Sequence, residues 1–320
     1  MALRQAQGTG DGGRGTGDGG QGSGDGVRGT DDPLRPARRR ASRRAAVPAL
    51  VGGLALGVGA MTFLFPFYYM IIGSLQREPD QSVGGVFPHP GNLTLSNYVA
   101  IDARLDLVRS VLNSGIFAAG VIICTVVFGA LVGYALAVLQ WRGRGGVFAL
   151  ALLVQVVPFQ LLIIPLYVLI ARSYGLADNY LGMILPFAIN STAVIIFRQY
   201  FLQLPQAMFE AARIDGASEL QLLTRIALPL IRPALVTVVL LTFIGPWNEF
   251  LWPFLITKRA DLQPLAVSLA NYLTNVANST ANPFGALLAG AVVLVLPVAV
   301  LFVVFQRHFV SSDLSSGVKG

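Results

Sequence analysis

The chain has 320 residues, of which 54% are hydrophobic and only 12% are charged, and its formal net charge is +7. Soluble domains carry about 25% charged residues, so the composition excludes an ordinary soluble protein and predicts an all-α integral membrane protein. The basic residues cluster at the ends of apolar stretches, which argues against a nucleic-acid-binding face, and the single cysteine, Cys124, excludes an intrachain disulfide or a multi-cysteine metal site.

The first 44 residues differ from the rest in composition. Residues 8–28 repeat at a period of seven as GTGDGGR, GTGDGGQ and GSGDGVR, and this heptad lacks apolar a and d positions, so it predicts a flexible segment and not a coiled coil. We expect the basic run that follows to anchor the membrane topology and to contact anionic lipid headgroups. Residues 1–44 are therefore predicted to be a disordered tail, and residues 45–320 a membrane domain. The basic run consists of Arg35, Arg38, Arg39, Arg40, Arg43 and Arg44.

Six later stretches are apolar enough to cross a membrane. A spanning helix needs about 20 apolar residues, and helices are required because unpaired strand edges would leave backbone groups unsatisfied in lipid. Five of the six stretches contain no Asp, Glu, Lys or Arg. The sequence therefore predicts six transmembrane helices. They are residues 47–72, 111–139, 147–171, 180–197, 235–256 and 284–305.

The distribution of arginine and lysine predicts the orientation of these spans. With the N-terminus inside the cell, fourteen basic residues near the spans lie on the cytoplasmic side and six lie outside, leaving aside the three in the far N-terminal tail. Cytoplasmic loops carry the excess of basic residues. Both termini and the loop at residues 204–233 are therefore predicted to be cytoplasmic.

The 204–233 loop is the longest polar-containing interval between two strongly apolar spans in the second half of the chain. Pro205 suits the first turn of a helix, and residues 206–214 are mostly good helix formers. Gly216 then ends the helix, because glycine adopts the left-handed conformation at little steric cost. Ser218 and Gln221 form a capping-box pattern for a second helix, which Pro229 and Pro233 limit. The loop is predicted to be a short helix, a sharp turn and another short helix.

The same loop carries a spaced pattern of residues that resembles the EAA signature of the membrane subunits of bacterial ATP-binding-cassette (ABC) importers. The pattern reads E-A-A, three residues, G, nine residues, I, one residue, L-P. The residues that the resemblance assigns to contact with the ATPase are Glu210, Ala211, Ala212, Asp215, Gly216, Ile226, Leu228 and Pro229.

Further stretches resemble one branch of that family, the sugar permeases similar to the smaller membrane subunit of maltose-type systems. They include the sequences GYALA at residues 133–137, WNEFLWP at 247–253 and VKG at 318–320. The resemblance implies the type I ABC importer permease fold, with six transmembrane helices and a cytoplasmic coupling helix. It implies a permease subunit in the bacterial inner membrane that moves an oligosaccharide, a disaccharide or a related sugar inward by alternating access.

The resemblance also implies a division of labour among several chains. A second homologous permease completes the pore, two copies of an ABC ATPase bind ATP and Mg²⁺ on the cytoplasmic side, and an extracytoplasmic binding protein delivers the sugar. In this chain the G-x-x-x-x-G-K-[ST] phosphate loop is missing, and both histidines, His89 and His308, lie outside the predicted spans. We therefore expect no enzyme activity, cofactor or metal site in this chain.

Glu249 is the one acidic residue inside a predicted span, and two interpretations of it are open. A charged residue at the middle of a bilayer costs about 2.5–3.5 kcal/mol on insertion scales, so it normally faces a bundle interior or water. In the first interpretation Trp247, Asn248, Glu249 and Trp252 line the translocation path, where polar groups bind sugar hydroxyls and aromatic rings stack on the sugar. In the second, Glu249 makes an interhelical contact that fixes packing or lies near the outer interface.

Two alternative functions remain compatible with the sequence. An ion-gradient-driven secondary transporter fits the hydropathy, although such proteins usually carry ionisable relays in their spans and need no ATPase-docking loop. An ABC permease for a non-sugar solute shares the Glu210 loop, and only the resemblance of WNEFLWP and VKG favours the sugar branch.

Overall fold

The computed structural model describes residues 35–77, 87–275 and 283–314, with side chains described for 51–77, 87–275 and 283–306. Regular structure in these ranges is helical, apart from an isolated antiparallel bridge between Gln76 and Leu93. The helices are α1 (Arg35–Ser74), α2 (Ser96–Leu105), α3 (Leu107–Ala137), α4 (Arg144–Val154), α5 (Phe159–Tyr167), α6 (Tyr180–Ile184), α7 (Ser191–Leu202), α8 (Gln206–Ile214), α9 (Glu219–Gln221), α10 (Leu228–Leu230), α11 (Arg232–Asn248), α12 (Leu251–Ile256), α13 (Leu265–Asn275) and α14 (Pro283–Leu314).

The chain divides into two units, Met1–Thr62 and Phe63–Gly320. In the first unit the described residues form the beginning of α1, which starts at Arg35, so the basic run at residues 35–44, predicted to belong to a disordered tail, is helical. Hydropathy did not indicate this helical start, because the run is rich in arginine, which is charged but is a good helix former, as alanine is. The repeat at residues 8–28, predicted to be flexible, lies outside the described residues.

Three helices are long and apolar enough to cross a membrane as single rods: Val51–Ser74, Leu107–Ala137 and Pro283–Gln306. Three further pairs of helices qualify only when each bent pair counts as one span, so the described residues contain three spans, or up to six. The bent pairs are Arg144–Val154 with Phe159–Ser173 at 96°, Tyr180–Phe187 with Ser191–Leu202 at 52°, and Glu219–Leu230 with Arg232–Asn248 at 83°.

The predicted span at residues 235–256 is not one continuous helix. Helix α11 ends at Asn248, Glu249 has an extended backbone (φ −68°, ψ 124°), and α12 begins at Leu251. Pro253 lies in the first turn of α12, where its missing N–H costs least, so a new helix starts there more readily than an old one continues through it. Hydropathy did not reveal this break, because the residues on both sides are apolar.

Helix α3 is the central element of the second unit and packs closely on α7. A Cβ atom added at Gly133 would lie 2.8 Å from Phe197 Cβ and 3.0 Å from the backbone nitrogen of Arg198, which is too close for any larger residue. Gly129 approaches Ala193 and Phe197 in the same way. These glycines allow the two helices to approach within backbone contact, as small residues do in membrane helix pairs.

A buried apolar cluster, called here the α3–α7–α11 cluster, fills the end of the bundle where α3 terminates. Its members come from α3, α7 and α11 and from the segment between α7 and α11, and they include residues of the predicted coupling loop. The buried residues are Ala130, Tyr134, Ala137, Ala193, Phe197, Phe201, Phe209, Leu222, Leu223, Ala227, Ile231, Ala234 and Val238. The loop between α7 and α11 is therefore folded onto the helices that it connects.

The opposite end of α3 is held by polar contacts to α2, α13 and residues 257–264, a region called here the α2–α13 end. Asn113 of α3 donates hydrogen bonds to the carbonyls of Asp261 and Gln263, at 3.0 Å each. Asp178, in the left-handed conformation (φ 50°), accepts a hydrogen bond at 2.6 Å from the backbone N–H of Lys258. This end also has its own buried apolar cluster, which includes Ile101, Leu265 and Tyr272, so apolar packing and hydrogen bonds hold it together.

Candidate functional site

The 204–233 loop has the local structure that its residues predict. Helix α8 follows Pro205, which is its N-cap (φ −60°, ψ 127°), and Gly216 adopts the left-handed conformation at φ +87°. Ser218 Oγ accepts from the Gln221 N–H at 3.4 Å, while Gln221 Oε1 accepts from the Ser218 N–H at 2.9 Å. These contacts form the predicted capping box. A Cβ atom at position 216 would meet nothing within 4 Å, so steric crowding does not require glycine there. The left-handed backbone conformation is what favours it.

The second helix of the loop is irregular, which the sequence did not predict. A single turn, α9, continues as a π-helical segment, Leu222–Ala227, and then as α10. Ile231 leaves helical geometry (φ −98°, ψ 26°), and the chain bends by 83° into α11, whose first turn contains Pro233. The π-helical turn places Leu222, Leu223 and Ala227 in the α3–α7–α11 cluster.

The residues of the EAA-like pattern fall into an exposed group and a half-buried group. The half-buried residues face the α3–α7–α11 cluster, and they are Ala212, Ile226 and Leu228. The exposed residues are Glu210, Ala211, Asp215, Gly216 and Pro229. Ile214, which the pattern does not include, is 86% exposed at the end of α8. The module therefore presents one free face with a carboxylate and an apolar side chain.

An aromatic anchor holds α8 against α3 and α7. Phe209 is buried, and its ring centroid lies 6.1 Å from that of Tyr134 in an edge-to-face contact. Tyr134 makes a second edge-to-face contact with Phe201 at 5.6 Å. Such aromatic pairs add about 0.5–1.5 kcal/mol each beyond the burial of their area. The base of α8 is therefore packed, while its outer face stays free.

A polar contact, called here the Glu219 bridge, joins three elements at the same place. The Tyr134 hydroxyl donates to Glu219 Oε2 at 2.7 Å, and Arg213 donates from Nε to Glu219 Oε1 at 2.7 Å and from Nη2 to Oε2 at 3.3 Å. The hydrogen bonds to Glu219 raise the pKa of the Arg213 guanidinium. Sequence reasoning missed this bridge; opposite charges at 213 and 219 on either side of Gly216 were the available signal.

The four residues predicted to line a path do not share one environment. Trp247 and Trp252 are buried, and their indole N–H groups donate to backbone carbonyls of Leu294 and Gly182, at 2.9 and 3.1 Å. Asn248 is exposed and Glu249 is half-buried. The structure therefore brings the tryptophans into packing contacts and leaves Asn248 and Glu249 at the surface of the break.

Glu249 has a local role at the break between α11 and α12. Its Oε1 accepts a hydrogen bond at 3.2 Å from the backbone N–H of Trp252, so the carboxylate satisfies a donor in the first turn of α12. A negative charge is also favourable at a helix N-terminus. The Asn248 amide donates to the carbonyl of Ile244 at 2.9 Å, which leaves its side-chain oxygen available.

A polar cleft of about 450 Å³ opens at the α2–α13 end. Arg104 and Lys258 supply its positive charge, and Gln263 and Asn271 supply amides. Asp261 lies nearby, and the hydrogen bond from Arg259 lowers the pKa of its carboxyl group. Within the described part of the chain, His, Cys, Asp and Glu nowhere gather in a group of three that could hold a metal ion.

Comparison with known proteins gives a consistent set of similarities. The family described as "Binding-protein-dependent transport system inner membrane component" matches residues 125–312. The arabinooligosaccharides transport system permease protein AraQ of Halalkalibacterium halodurans is 34% identical, over 87% of this chain and 100% of that protein. The trehalose transport system permease protein SugB of Mycobacterium tuberculosis is 32% identical, over 87% and 99%.

Similarity extends to a third relative and to a solved structure. The sn-glycerol-3-phosphate transport system permease protein UgpE of Agrobacterium fabrum is 29% identical, over 82% of this chain and 95% of that protein. A chain from the crystal structure of a bacterial ABC transporter involved in the import of the acidic polysaccharide alginate superposes with a TM-score of 0.73 at 26% identity. That superposition covers 83% of this chain and 98% of the other.

Proposed function

Because the chain belongs to the binding-protein-dependent transport system inner membrane components, which are permease subunits of ABC importers, we propose that it moves a carbohydrate into the cell through a pore shared with a second permease. The family is a transport subunit and not a catalytic enzyme, and its ATPase is a separate chain. The membrane domain has the type I importer permease fold.

The observation that carries the proposed mechanism is the free face of α8 on a packed base. Glu210, Ala211 and Ile214 are exposed, while Phe209 of the same helix is buried against α3 and α7. Because α8 is anchored along one face only, its outer face is accessible to a partner chain. We assign this face to a cleft of the ABC ATPase, with Glu210, Ala211, Asp215 and Gly216 at the contact, while Ala212 of the same pattern packs against the α3–α7–α11 cluster.

Six spans and a cytoplasmic position for both termini complete this assignment. The first two bent pairs each count as one crossing. In the last pair the 83° bend at Ile231 separates the coupling module from the membrane, so α11 and α12 form the fifth crossing. The fourteen-to-six excess of basic residues supports the cytoplasmic side for the 204–233 loop. Residues 1–44 stay outside the permease domain in this scheme, although the helix begins within them.

Coupling then follows from how the module is attached. When ATP and Mg²⁺ bound to the partner close the ATPase dimer, the cleft moves and carries α8 with it. Phe209, Tyr134 and the buried leucines pass that displacement to α3, α7 and α11, because close-packed interiors transmit strain. A movement of these three helices against the second permease opens the pore to alternate sides.

The substrate assignment rests on the relatives and on the chemistry of the break. The similar permeases are named for arabinooligosaccharides and trehalose, and these names support a carbohydrate. Asn248 and Glu249 present an amide and a carboxylate oxygen that suit sugar hydroxyls, whereas Trp247 and Trp252 serve packing. One relative is named for sn-glycerol-3-phosphate, so a phosphorylated polyol is the second candidate substrate class.

A mild-detergent purification of the chain from its native membrane tests this function. The account predicts that a P-loop ATPase, a second permease of six or more spans and an extracytoplasmic binding protein accompany it, as identified by mass. A solitary chain that moves solute under an ion gradient without ATP would refute the importer assignment and favour the secondary transporter.

A further inference from the structure

The Glu219 bridge lies at the turn between α8 and α9 in the coupling module. Helix α8 ends at Ile214, and the turn at Gly216 has no side chain and no neighbour within 4 Å of a Cβ position. Backbone hydrogen bonds from Gly216 to Arg213 and from Ala217 to Ala212 close the end of α8, and among the described residues the Arg213–Glu219 contact is the side-chain hydrogen bond that crosses the turn to α9. The Arg213–Glu219 contact spans this turn from one helix to the other.

The bridge continues from the joint into a membrane helix. Glu219 Oε2 accepts from the hydroxyl of Tyr134, which is only 3% exposed and belongs to the last turn of α3. Exposed ion pairs alone contribute little, and both Arg213 and Glu219 are more than one third exposed. A buried hydroxyl, however, needs its partner, and an ionised partner makes the stronger hydrogen bond. The contact to Tyr134 therefore gives the pair a fixed position that an isolated surface pair lacks.

We propose that Glu219 is a positioning residue that makes α8, α9 and the end of α3 move as one body when the ATPase moves α8. This inference rests on the proposed function, because it concerns the coupling of that same loop. Without Glu219, α8 keeps its free face and its Phe209 anchor, but the joint at Gly216 opens. The ATPase then still docks and hydrolyses ATP, while α3 follows its movement only in part.

The test measures the distance between α8 and α3 in the complex purified with its own partners. Cys124 is replaced by alanine, and nitroxide labels are attached at Ala207→Cys on α8 and Leu131→Cys on α3, both exposed positions outside the EAA-like pattern. Electron-spin distance distributions are recorded without nucleotide and after trapping with Mg²⁺, ATP and vanadate. In the otherwise unaltered chain the distribution is expected to stay the same in both states.

Glu219→Ala is expected to shift or broaden that distribution by several ångströms in the trapped state, while vanadate-sensitive ATP hydrolysis persists. Asp261→Ala is the matched control, because it removes a similarly exposed carboxylate that pairs with Arg109 and Arg259 at the α2–α13 end. That control is expected to leave the distribution unchanged. A Glu219→Ala distribution that matches the unaltered chain in both states would overturn the inference.

Two further variants separate positioning from a general loss of folding. Tyr134→Phe keeps the ring contacts to Phe201 and Phe209 and removes only the hydroxyl, and it is expected to broaden the distribution as Glu219→Ala does. The exchange Arg213→Glu with Glu219→Arg restores opposite charges, so the double variant is expected to recover a narrower distribution than either single change gives. A double variant no narrower than the singles would contradict a role for the bridge.

Failure of the proposed function is distinguishable in the same samples. If no ATPase accompanies the unaltered chain, or if the purified complex shows no vanadate-sensitive hydrolysis, the importer assignment fails before any variant is compared. If hydrolysis is present and the variants behave like the control, the importer assignment holds and the role of Glu219 is rejected.

Discussion

The 204–233 loop and the break at Glu249 both place polar residues between apolar helices and both bury aromatic side chains, but their carboxylates have different surroundings. In the loop the carboxylate of Glu210 and the side chain of Ile214 are exposed, while Phe209 is buried beneath them. At the break the two large tryptophans are buried and the carboxylate caps a helix. The carboxylate of the loop is therefore accessible to a partner chain, whereas the carboxylate at the break is already hydrogen-bonded within its own chain.

Removing a buried ring from the break is the change with the largest expected effect. Trp252→Ala leaves a cavity where the ring packs against Phe159, and large-to-small changes of this kind lower the free energy of unfolding by about 3–5 kcal/mol. Thermal unfolding of the purified chain in detergent measures the loss. Phe250→Ala, at the neighbouring 38% exposed aromatic, is the control and is expected to lose much less. Equal losses at both sites would remove the distinction between packing and surface aromatics.

A change at the turn of the loop is expected to act on transport more than on folding. Gly216→Val forces a β-branched residue into φ +87°, which costs about 1–3 kcal/mol and distorts the end of α8. We expect normal membrane insertion and a loss of uptake of at least about tenfold, measured with a radiolabelled arabinooligosaccharide or trehalose. Gly145→Val, at an open position with ordinary φ, is the control. Normal uptake in Gly216→Val would refute the role of the turn.

Altering the free face of α8 is expected to weaken partner binding without changing the fold. Ile214→Asp replaces an 86% exposed apolar side chain, so the free energy of unfolding should change by no more than about 0.5 kcal/mol. Binding of the ATPase should weaken about tenfold, or about 1.4 kcal/mol, in a titration of the purified subunits. Leu95→Asp, a 69% exposed leucine beside α2, is the control and should leave binding intact. A loss of ATPase binding in Leu95→Asp but not in Ile214→Asp would place the contact at the α2–α13 end and contradict the assignment to α8.

The smallest expected change in stability concerns Glu249. Glutamine keeps an oxygen that accepts from the Trp252 N–H, so Glu249→Gln should change the free energy of unfolding by less than about 0.5 kcal/mol. Transport should fall, with ATPase binding intact, if the carboxylate binds the sugar. Uptake rates and sugar preference equal to those of the unaltered chain would leave Glu249 as a helix cap only.

Local sequence patterns predicted local structure well in this chain. The turn at Gly216 and the capping box at Ser218 depend on residues within a few positions of each other, and both are confirmed. Pro229 and Pro233 indicated the end of the second helix near Ile231, but the 83° bend there was not predicted, because hydropathy does not respond to direction. The break at Glu249 was not predicted because the stretches on both sides of it are apolar.

Contacts between distant residues lay beyond prediction from one sequence. Tyr134 and Glu219 are 85 positions apart, and only the packing of α3 beneath the loop brings them together. The burial of the tryptophans is of the same kind, because their partners, Leu294 and Gly182, lie on other helices. The sequence therefore indicated candidate site residues, and the fold determined which of them are exposed and which are buried.

The most direct test of the account is a cross-link from the free face of α8. With Cys124 replaced by serine, Ala211→Cys provides one thiol on that face, and Ala103→Cys on α2 provides the matched exposed thiol at the other end of the bundle. A short thiol-reactive photocrosslinker is applied to the purified complex, and the adduct is identified by mass. The account predicts that Ala211→Cys joins the ATPase and that Ala103→Cys does not. An ATPase adduct from Ala103→Cys with none from Ala211→Cys would contradict the assignment of α8 as the coupling surface.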